Sequence, residues 1–398
     1  MKRVAVGVTV AGALAFVVIA ALLVPWDPVP GGPLHAPPAS SVFTAEEIRR
    51  AEDFTSLARL WSWCSLATSL LLACVLGFSR LGASLVERIR GPWWWQVVVS
   101  VAALALAGRV VTLPFAVLLR RRVLDYGLSH QAWSAFAVDL AKGVAVNVVV
   151  TSIALIVLVG AARRWPRAWP AVAGLLLAGL VMLGSFAYPL VVEPLFNNFT
   201  PLPDGALRTQ IFELADREGV PIDDVLVADA SRRTTTLNAY VSGLGSSRRV
   251  VVYDNLVNDV DDREALSVIA HELGHARHDD VLTGSLLGAA GVLVGVGLLG
   301  LLAGGVADPR RVPRLLALVA VATLLASPLQ NGISRRIETR ADVDALRATG
   351  DPQAFIDVQT ELARKSLADP TPPAWSQFWF GSHPTGLMRI ALAQRELD

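Results

Sequence analysis

Charge is scarce in this chain. Asp, Glu, Lys and Arg make up 17% of the 398 residues, while hydrophobic residues reach 53%. A soluble domain runs nearer a quarter charged, so a wholly soluble protein is excluded and a membrane protein is indicated. Lysine is almost missing: Lys2, Lys142 and Lys365 are the only ones, and arginine carries nearly all the positive charge. That usage, with abundant Ala, Val and Gly, points to a GC-rich, bacterial genome. The formal net charge is +1, which leaves no basic surface for a nucleic acid. Cysteine is limited to Cys64 and Cys74. On one helix they stand roughly 15 Å apart, beyond the ~7 Å between Cα atoms that a disulfide allows. No oxidising compartment is implied, and neither cysteine lies near the candidate metal ligands described below.

What is present is a series of long apolar runs. They fall at 4–24, 58–79, 94–118, 141–161, 169–192, 281–305 and 312–330, each long enough to cross a bilayer. Tryptophans gather at their edges, among them Trp61, Trp63, Trp93, Trp94, Trp95, Trp165 and Trp169, as in an interfacial aromatic belt. The first run follows Met1-Lys2-Arg3 and could be read as a signal peptide. It is longer than a usual signal core and no A-x-A site follows, so a retained membrane helix is expected. Phe43 to Leu57 reads as a short amphipathic helix leading into the membrane. Arg109 lies inside the third run, where it either lines a functional cavity or snorkels into a structural pairing. No internal repeat is evident.

Residues 193–280 differ in character. Pro201, Pro203 and Gly205 suggest a turn, and Ala206 to Arg217 has helical spacing. Val225 to Ala228, Thr235 to Val241 and Arg249 to Tyr253 are β-branched runs bounded by Gly, Asp or Ser, read as a small antiparallel sheet. An exposed edge of that sheet could take up an extended peptide through main-chain hydrogen bonds. The expected architecture is therefore a mainly α, polytopic membrane protein with about seven transmembrane helices. It divides into an N-terminal membrane region, 1–193, with five helices, and a region 194–398 containing two more.

The chemistry lies in Ala270-His271-Glu272-Leu273-Gly274-His275, an H-E-x-x-H motif. From the composition of this chain, the expected number of chance matches is on the order of 0.003. The upstream run from Glu264 to Ala270 is helical in period, with Asp261 and Asp262 suited to a helix N-terminus. On a helix, His271 and His275 project from nearly one face and can grip one Zn²⁺, with Glu272 beside it as a general base. The blander reading is a helix with two surface histidines and a salt-bridging glutamate. An apolar run begins almost directly afterwards, so the metal site must lie at the membrane surface or within it. Catalytic zinc usually takes three protein ligands. Glu338 is a candidate, with Asp342 one turn on and placed to orient a zinc-binding histidine. An ordinary charged helix face, pairing Glu338 and Asp342 with Arg335, Arg336 and Arg340, fits the same spacing.

H-E-L-G-H, then two membrane helices, then Ser334-Arg335-x-x-Glu338-x-x-Ala341-Asp342, resembles the type I CAAX prenyl protease family of integral-membrane zinc metalloproteases. Pro194 to Leu202, Leu237 to Gly243 with its N-A-Y strand, Arg249 to Asp254, and Ser382-His383-Pro384-Thr385 with Arg389 resemble further segments of that family. The similarity runs from about residue 194 to 393. It implies a zincin-like protease domain over a chamber enclosed by seven helices, which would also explain Arg109. It implies one Zn²⁺ held by His271, His275 and Glu338, with Glu272 as base. It further implies that Asn238 holds the substrate backbone, and that His383, supported by Arg389, stabilises the oxyanion.

The expected activity is zinc-dependent hydrolysis of peptide bonds in a peptide or protein substrate, membrane-associated ones included, with the lipid bilayer as the other partner. Two alternatives stand beside it. One is a heat-shock-type membrane quality-control protease, which has fewer membrane helices. The other is a non-catalytic membrane zinc protein, which has no use for Glu272. The basic residues flanking the runs are nearly balanced between the two sides. The resemblance implies a cytoplasmic protease domain, and the residue usage a bacterial cell membrane.

Overall fold

The computed structural model describes residues 1–397 except Leu244, Ser246 and Ser247. Its membrane half begins with α1 (Lys2–Leu23), α2 (Ala45–Phe78), α3 (Arg80–Glu87), α4 (Trp93–Asp125), α5 (Trp133–Arg164) and α6 (Trp169–Val191). Then come β1 (Phe199–Pro201), α7 (Ala206–Arg217), β2 (Asp224–Ala228), β3 (Ala239–Ser242), β4 (Arg249–Tyr253), α8 (Asp254–Asp259) and α9 (Asp262–Arg277). The chain re-enters the apolar bundle as α10 (Asp280–Leu302) and α11 (Val312–Thr349). It ends with α12 (Pro352–Ser366), α13 (Ala374–Phe380) and α14 (Gly386–Arg395). Among the described residues, seven helices can cross a membrane by length and composition: α1, α2, α4, α5, α6, α10 and α11.

Two elements run further than their sequence patterns suggest. Phe43 to Leu57 is not a separate helix. A capping box starts α2 at Thr44, whose side chain accepts from the Glu47 amide while Glu47 Oε2 accepts from the Thr44 amide at 2.8 Å. Nothing from there to Phe78 breaks the helix. In the same way, the charged stretch from Ser334 to Thr349 continues the membrane helix α11 without a break. Glu338 is thus carried on the same rigid rod as a membrane span.

The sheet is mixed rather than antiparallel. Strand order is β1-β2-β4-β3. β1 pairs antiparallel with β2, β2 runs parallel to β4, and β3 is antiparallel to β4. The physical reason is the long connection from Asp229 to Asn238. It carries the chain past the position next to β2, so that β4 inserts between β2 and β3. The segment Thr235 to Leu237 belongs to that connection, leaving β3 as a short edge strand. Behind the sheet, Ile211, Val225, Val250, Ile269, Leu273, Phe355 and Leu392 form one buried core. A second core, around Val97, Val101, Leu158, Val159, Trp169 and Leu315, holds the membrane bundle together.

The first helix packs closely against α10. A Cβ on Gly297 of α10 would lie 2.7 Å from the Thr9 amide and 2.9 Å from the Ala5 carbonyl. One on Gly12 would lie 2.8 Å from Leu293 Cβ and 2.8 Å from the Val294 amide. Small residues on both helices let their backbones approach. Gly297→Leu is therefore expected to prise α1 from α10 and to destabilise by about 1–3 kcal/mol. Thermal unfolding in detergent, with limited proteolysis at the α1–α2 loop, checks this. An unchanged melting temperature and cleavage pattern would contradict the packing.

Candidate metal centre and active site

The site grows from one helix and one close approach. α9 begins with Asp262 and Glu264 in its first turn, where carboxylates complement the helix dipole. It buries Ala265, Ile269, Ala270 and Leu273 against the sheet core. That burial fixes the rotation of α9, so His271, Glu272 and His275 turn towards the membrane half. Gly274 lets α11 come close: a Cβ there would lie 3.4 Å from Ala341 Cα and 3.4 Å from Asp344 Cβ. This proximity brings Glu338 within reach of both imidazoles.

One donor atom each from His271, His275 and Glu338 lie within 4.8 Å of one another. His271 Nε2 is 3.3 Å from Glu338 Oε2, and His275 Nε2 is 3.7 Å from Glu338 Oε1. The two Nε2 atoms face each other at 3.1 Å. Both Nδ1 atoms are already engaged: that of His271 lies 2.8 Å from Asp342 Oδ1, and that of His275 lies 2.9 Å from Asp280 Oδ2. A neutral imidazole that donates from Nδ1 has a bare lone pair at Nε2. Two such lone pairs and a buried Glu338 Oε2 with no hydrogen-bond partner converge on one point. This donor set fits a divalent cation. Without a cation the carboxylates favour protons instead. Burial alone would lower the His275 pKa, but Asp280 and Glu338 outweigh it and push it up to about 10. His271 is raised for the same reason, against burial, by Asp342 and Glu338. A metal binding here displaces those protons.

Asp342 is 1% exposed at its side chain. Arg389, on α14, clamps it with Nε at 2.9 Å from Oδ2 and Nη2 on Oδ1. Asp280 is held in the same fashion by Arg340, whose Nη2 donates to its Oδ1. Asp280 and Arg340 do not emerge as a supporting pair from sequence spacing. The only trace is a carboxylate five residues after His275, on the far side of a helix break.

Glu272 points into a cavity of about 1350 Å³. Burial holds its carboxyl above the usual carboxylate range, against the pull of His271 and His275. Asn238, His271, His275, Glu338 and His383 line the same cavity. His383 Nε2 lies 3.4 Å from Glu338 Oε2, while its Nδ1 meets Ser382 Oγ at 2.9 Å. Gln377 Nε2 donates to the His383 carbonyl at 2.6 Å. Arg335, which donates to the Gln377 and Gly381 carbonyls, fixes this loop to α11. Asn238 and the β3 residues after it, to Val241, form another wall; among the described residues β3 pairs only with β4. Tyr240 donates to Glu193 Oε2 at 3.0 Å, tying that edge to the end of α6. Burial, together with the Glu193 charge, raises the Tyr240 hydroxyl far above its ordinary pKa, so it stays a donor.

Away from the metal the cavity is apolar. It is lined by Phe16 of α1, Leu155 of α5, Leu177 of α6, Leu287 of α10 and Val319 of α11. Five of the seven spans contribute, while none of its described lining residues comes from α2 or α4. Arg109, on α4, therefore does not line this chamber, and the chamber does not explain it. The charges that meet the cavity are clustered at the α9 end.

Residues 201–397 match the model of peptidase family M48, and residues 37–198 match that of the CAAX prenyl protease N-terminal region, five membrane helices. The chain belongs to peptidase family M48. It is a multi-pass, membrane-embedded metalloprotease of the CAAX prenyl protease type. The uncharacterized metalloprotease YhfN of Bacillus subtilis is 29% identical over 383 residues, covering 91% of this chain and 88% of that protein. A CAAX prenyl protease 1 homolog of Dictyostelium discoideum is 42% identical over 127 residues, 31% of this chain and 28% of the relative. The crystal structure of S. mikatae Ste24p superposes with a TM-score of 0.76 at 20% identity, over 98% of this chain and 99% of that one. The M48 chain thus has the Ste24p fold.

Proposed function

We propose that this M48 protease is a zinc endopeptidase that cleaves apolar, membrane-associated peptides, with one Zn²⁺ held by His271, His275 and Glu338. The observation that carries this reading is the convergence of two bare Nε2 atoms and an unpartnered Glu338 oxygen at the polar end of an apolar chamber. When bound, zinc supplies Lewis acidity that polarises a carbonyl and acidifies water. The residues of the chain do the rest. The β3 edge, with Asn238 at its start, pairs with the substrate main chain and orients the scissile bond. Glu272 takes the proton of the attacking water and hands it to the leaving amine. His383 donates a hydrogen bond to the oxygen on which charge develops. Asp342, backed by Arg389, fixes the His271 ring.

The two matched regions adjoin between residues 198 and 201, which supports a division into a membrane region, 1–193, and a protease region, 194–398. The match to YhfN supports placement in a bacterial cell membrane, with the protease region on the cytoplasmic side as in our reading of the type. The relatives named for CAAX prenyl substrates make a prenylated peptide one candidate. A chamber with apolar walls accommodates an unmodified apolar segment equally well, and in a bacterium we favour the latter. Seven spans, together with the matched N-terminal region, favour this type over the heat-shock-type protease.

The test is cleavage of fluorogenic peptides, prenylated and unprenylated, by detergent-purified protein before and after chelation. Chelation is expected to abolish cleavage, and about one equivalent of zinc per chain to restore it. Cleavage that survives chelation would overturn the zinc assignment. Bound zinc without cleavage of any peptide would favour a non-catalytic role.

A further inference from the structure

We propose that Asp280 is the positioning residue of the second metal-binding histidine, and that through it the first turn of membrane helix α10 is built into the metal site. This inference rests on the zinc reading above. Asp280 is the first residue of α10. Its side chain is 8% exposed and bonds His275 Nδ1 at 2.9 Å, while Arg340 of α11 holds its other oxygen. The arrangement repeats that of His271, Asp342 and Arg389. In each, an aspartate accepts from Nδ1, leaves Nε2 free to bind metal, and is itself fixed by an arginine. Such a carboxylate sets the ring orientation and tautomer and raises the basicity of the ligand.

The ordinary reading of an aspartate at a helix start is a cap or a dipole partner. Here no side-chain cap bond is made at the start of α10. The preceding residue, Asp279, adopts a left-handed conformation at φ 51°, one that aspartate tolerates better than most residues. That left-handed residue lies in the break between α9 and α10, and Asp280 just beyond it meets His275. The Asp279 carboxylate itself goes elsewhere, to Arg248 at 2.5 Å, and is 58% exposed. The two neighbours thus separate position from charge. Both sit in the turn, but only Asp280 touches a ligand. α10 also walls the chamber through Leu287 and Gly291, so a substrate that shifts this helix shifts the orientation of His275.

The experiment measures zinc affinity of the full-length protein in detergent by competition with a chromophoric chelator. Asp280→Ala is expected to weaken zinc binding 10–100-fold. Asp280→Asn, whose side-chain oxygen still accepts from Nδ1–H, should recover part of that loss. Asp279→Asn should bind zinc within twofold of wild type. Saturating zinc should bring the kcat of Asp280→Ala back towards wild type with KM unchanged. Wild-type affinity in Asp280→Ala, or an equal loss in all three variants, would overturn the proposal. If Asp280→Ala is not recovered folded, Asp280→Asn against wild type decides: several-fold weaker binding supports the role and equal binding refutes it. A wild-type protein that binds no zinc would sink the zinc reading itself, an outcome visible before any variant is compared.

Discussion

Glu272→Gln is expected to keep the bound metal and to lose 10²–10⁴-fold in turnover. The substitution is nearly isosteric. It leaves untouched the three donor side chains that converge at the polar end of the chamber. It also leaves the apolar face of α9 that seats the helix, since Ile269, Ala270 and Leu273 point the other way into the sheet core. What disappears is a carboxylate able to take a proton. The amide can accept a hydrogen bond but cannot carry a proton from water to the leaving amine. Removing a negative charge beside the metal lowers zinc affinity only modestly, because Glu338, Asp342 and Asp280 remain. The measurement pairs metal content with single-turnover cleavage. Full turnover by a metal-replete variant would remove Glu272 from the role of base.

Arg389→Leu carries the second large effect, this time on stability. Asp342 is 1% exposed, and Arg389 supplies a permanent counter-charge through two contacts. Removing the arginine strands a buried carboxylate beside only His271, which costs about 3–5 kcal/mol. Stacking over Phe355, 5.7 Å from the guanidinium, is lost as well. The double variant Asp342→Leu/Arg389→Leu removes both charges, so much of the stability should return. Zinc affinity should not return, since His271 then has no carboxylate on Nδ1. Thermal unfolding of the two variants, alongside chelator competition, separates these effects. A loss below about 1 kcal/mol for Arg389→Leu would mean that solvent reaches the pair.

Local order in this chain was readable and relative placement was not. His271, Glu272 and His275 share a helix, so their spacing alone sets their geometry. Glu338 and Asp342 also share a helix, but spacing does not say what that helix faces. The close approach at Gly274 decides it, and that is a tertiary fact. Asp280 stayed hidden because its contact with His275 crosses a helix break, where no periodicity applies. In the sheet, β-branched runs marked three of the four strands but did not fix their direction. The parallel pairing of β2 with β4 comes from the long Asp229–Asn238 connection. Pro201 suggested a turn, yet it ends a strand at the sheet edge, where a missing N–H is tolerated. The apolar length of the spans was legible, but which of them wall the chamber was not, because lipid-facing and chamber-facing residues are equally apolar.

The seam between α1 and α10 bears on how the protein is made. α1 leaves the ribosome well ahead of the helix whose backbone it meets, which begins only at Asp280. At ordinary elongation speeds, synthesis of the intervening chain takes on the order of ten seconds to a minute. Throughout that interval α1 lacks its α10 neighbour at Gly12, and the chamber lacks the walls that α10 and α11 supply. The metal ligands obey the same schedule: His271 and His275 precede α10, but Glu338 follows it. The compartment and the metal site are therefore completed together, late in translation, and no earlier intermediate of the nascent chain holds a finished active centre open to the surrounding membrane.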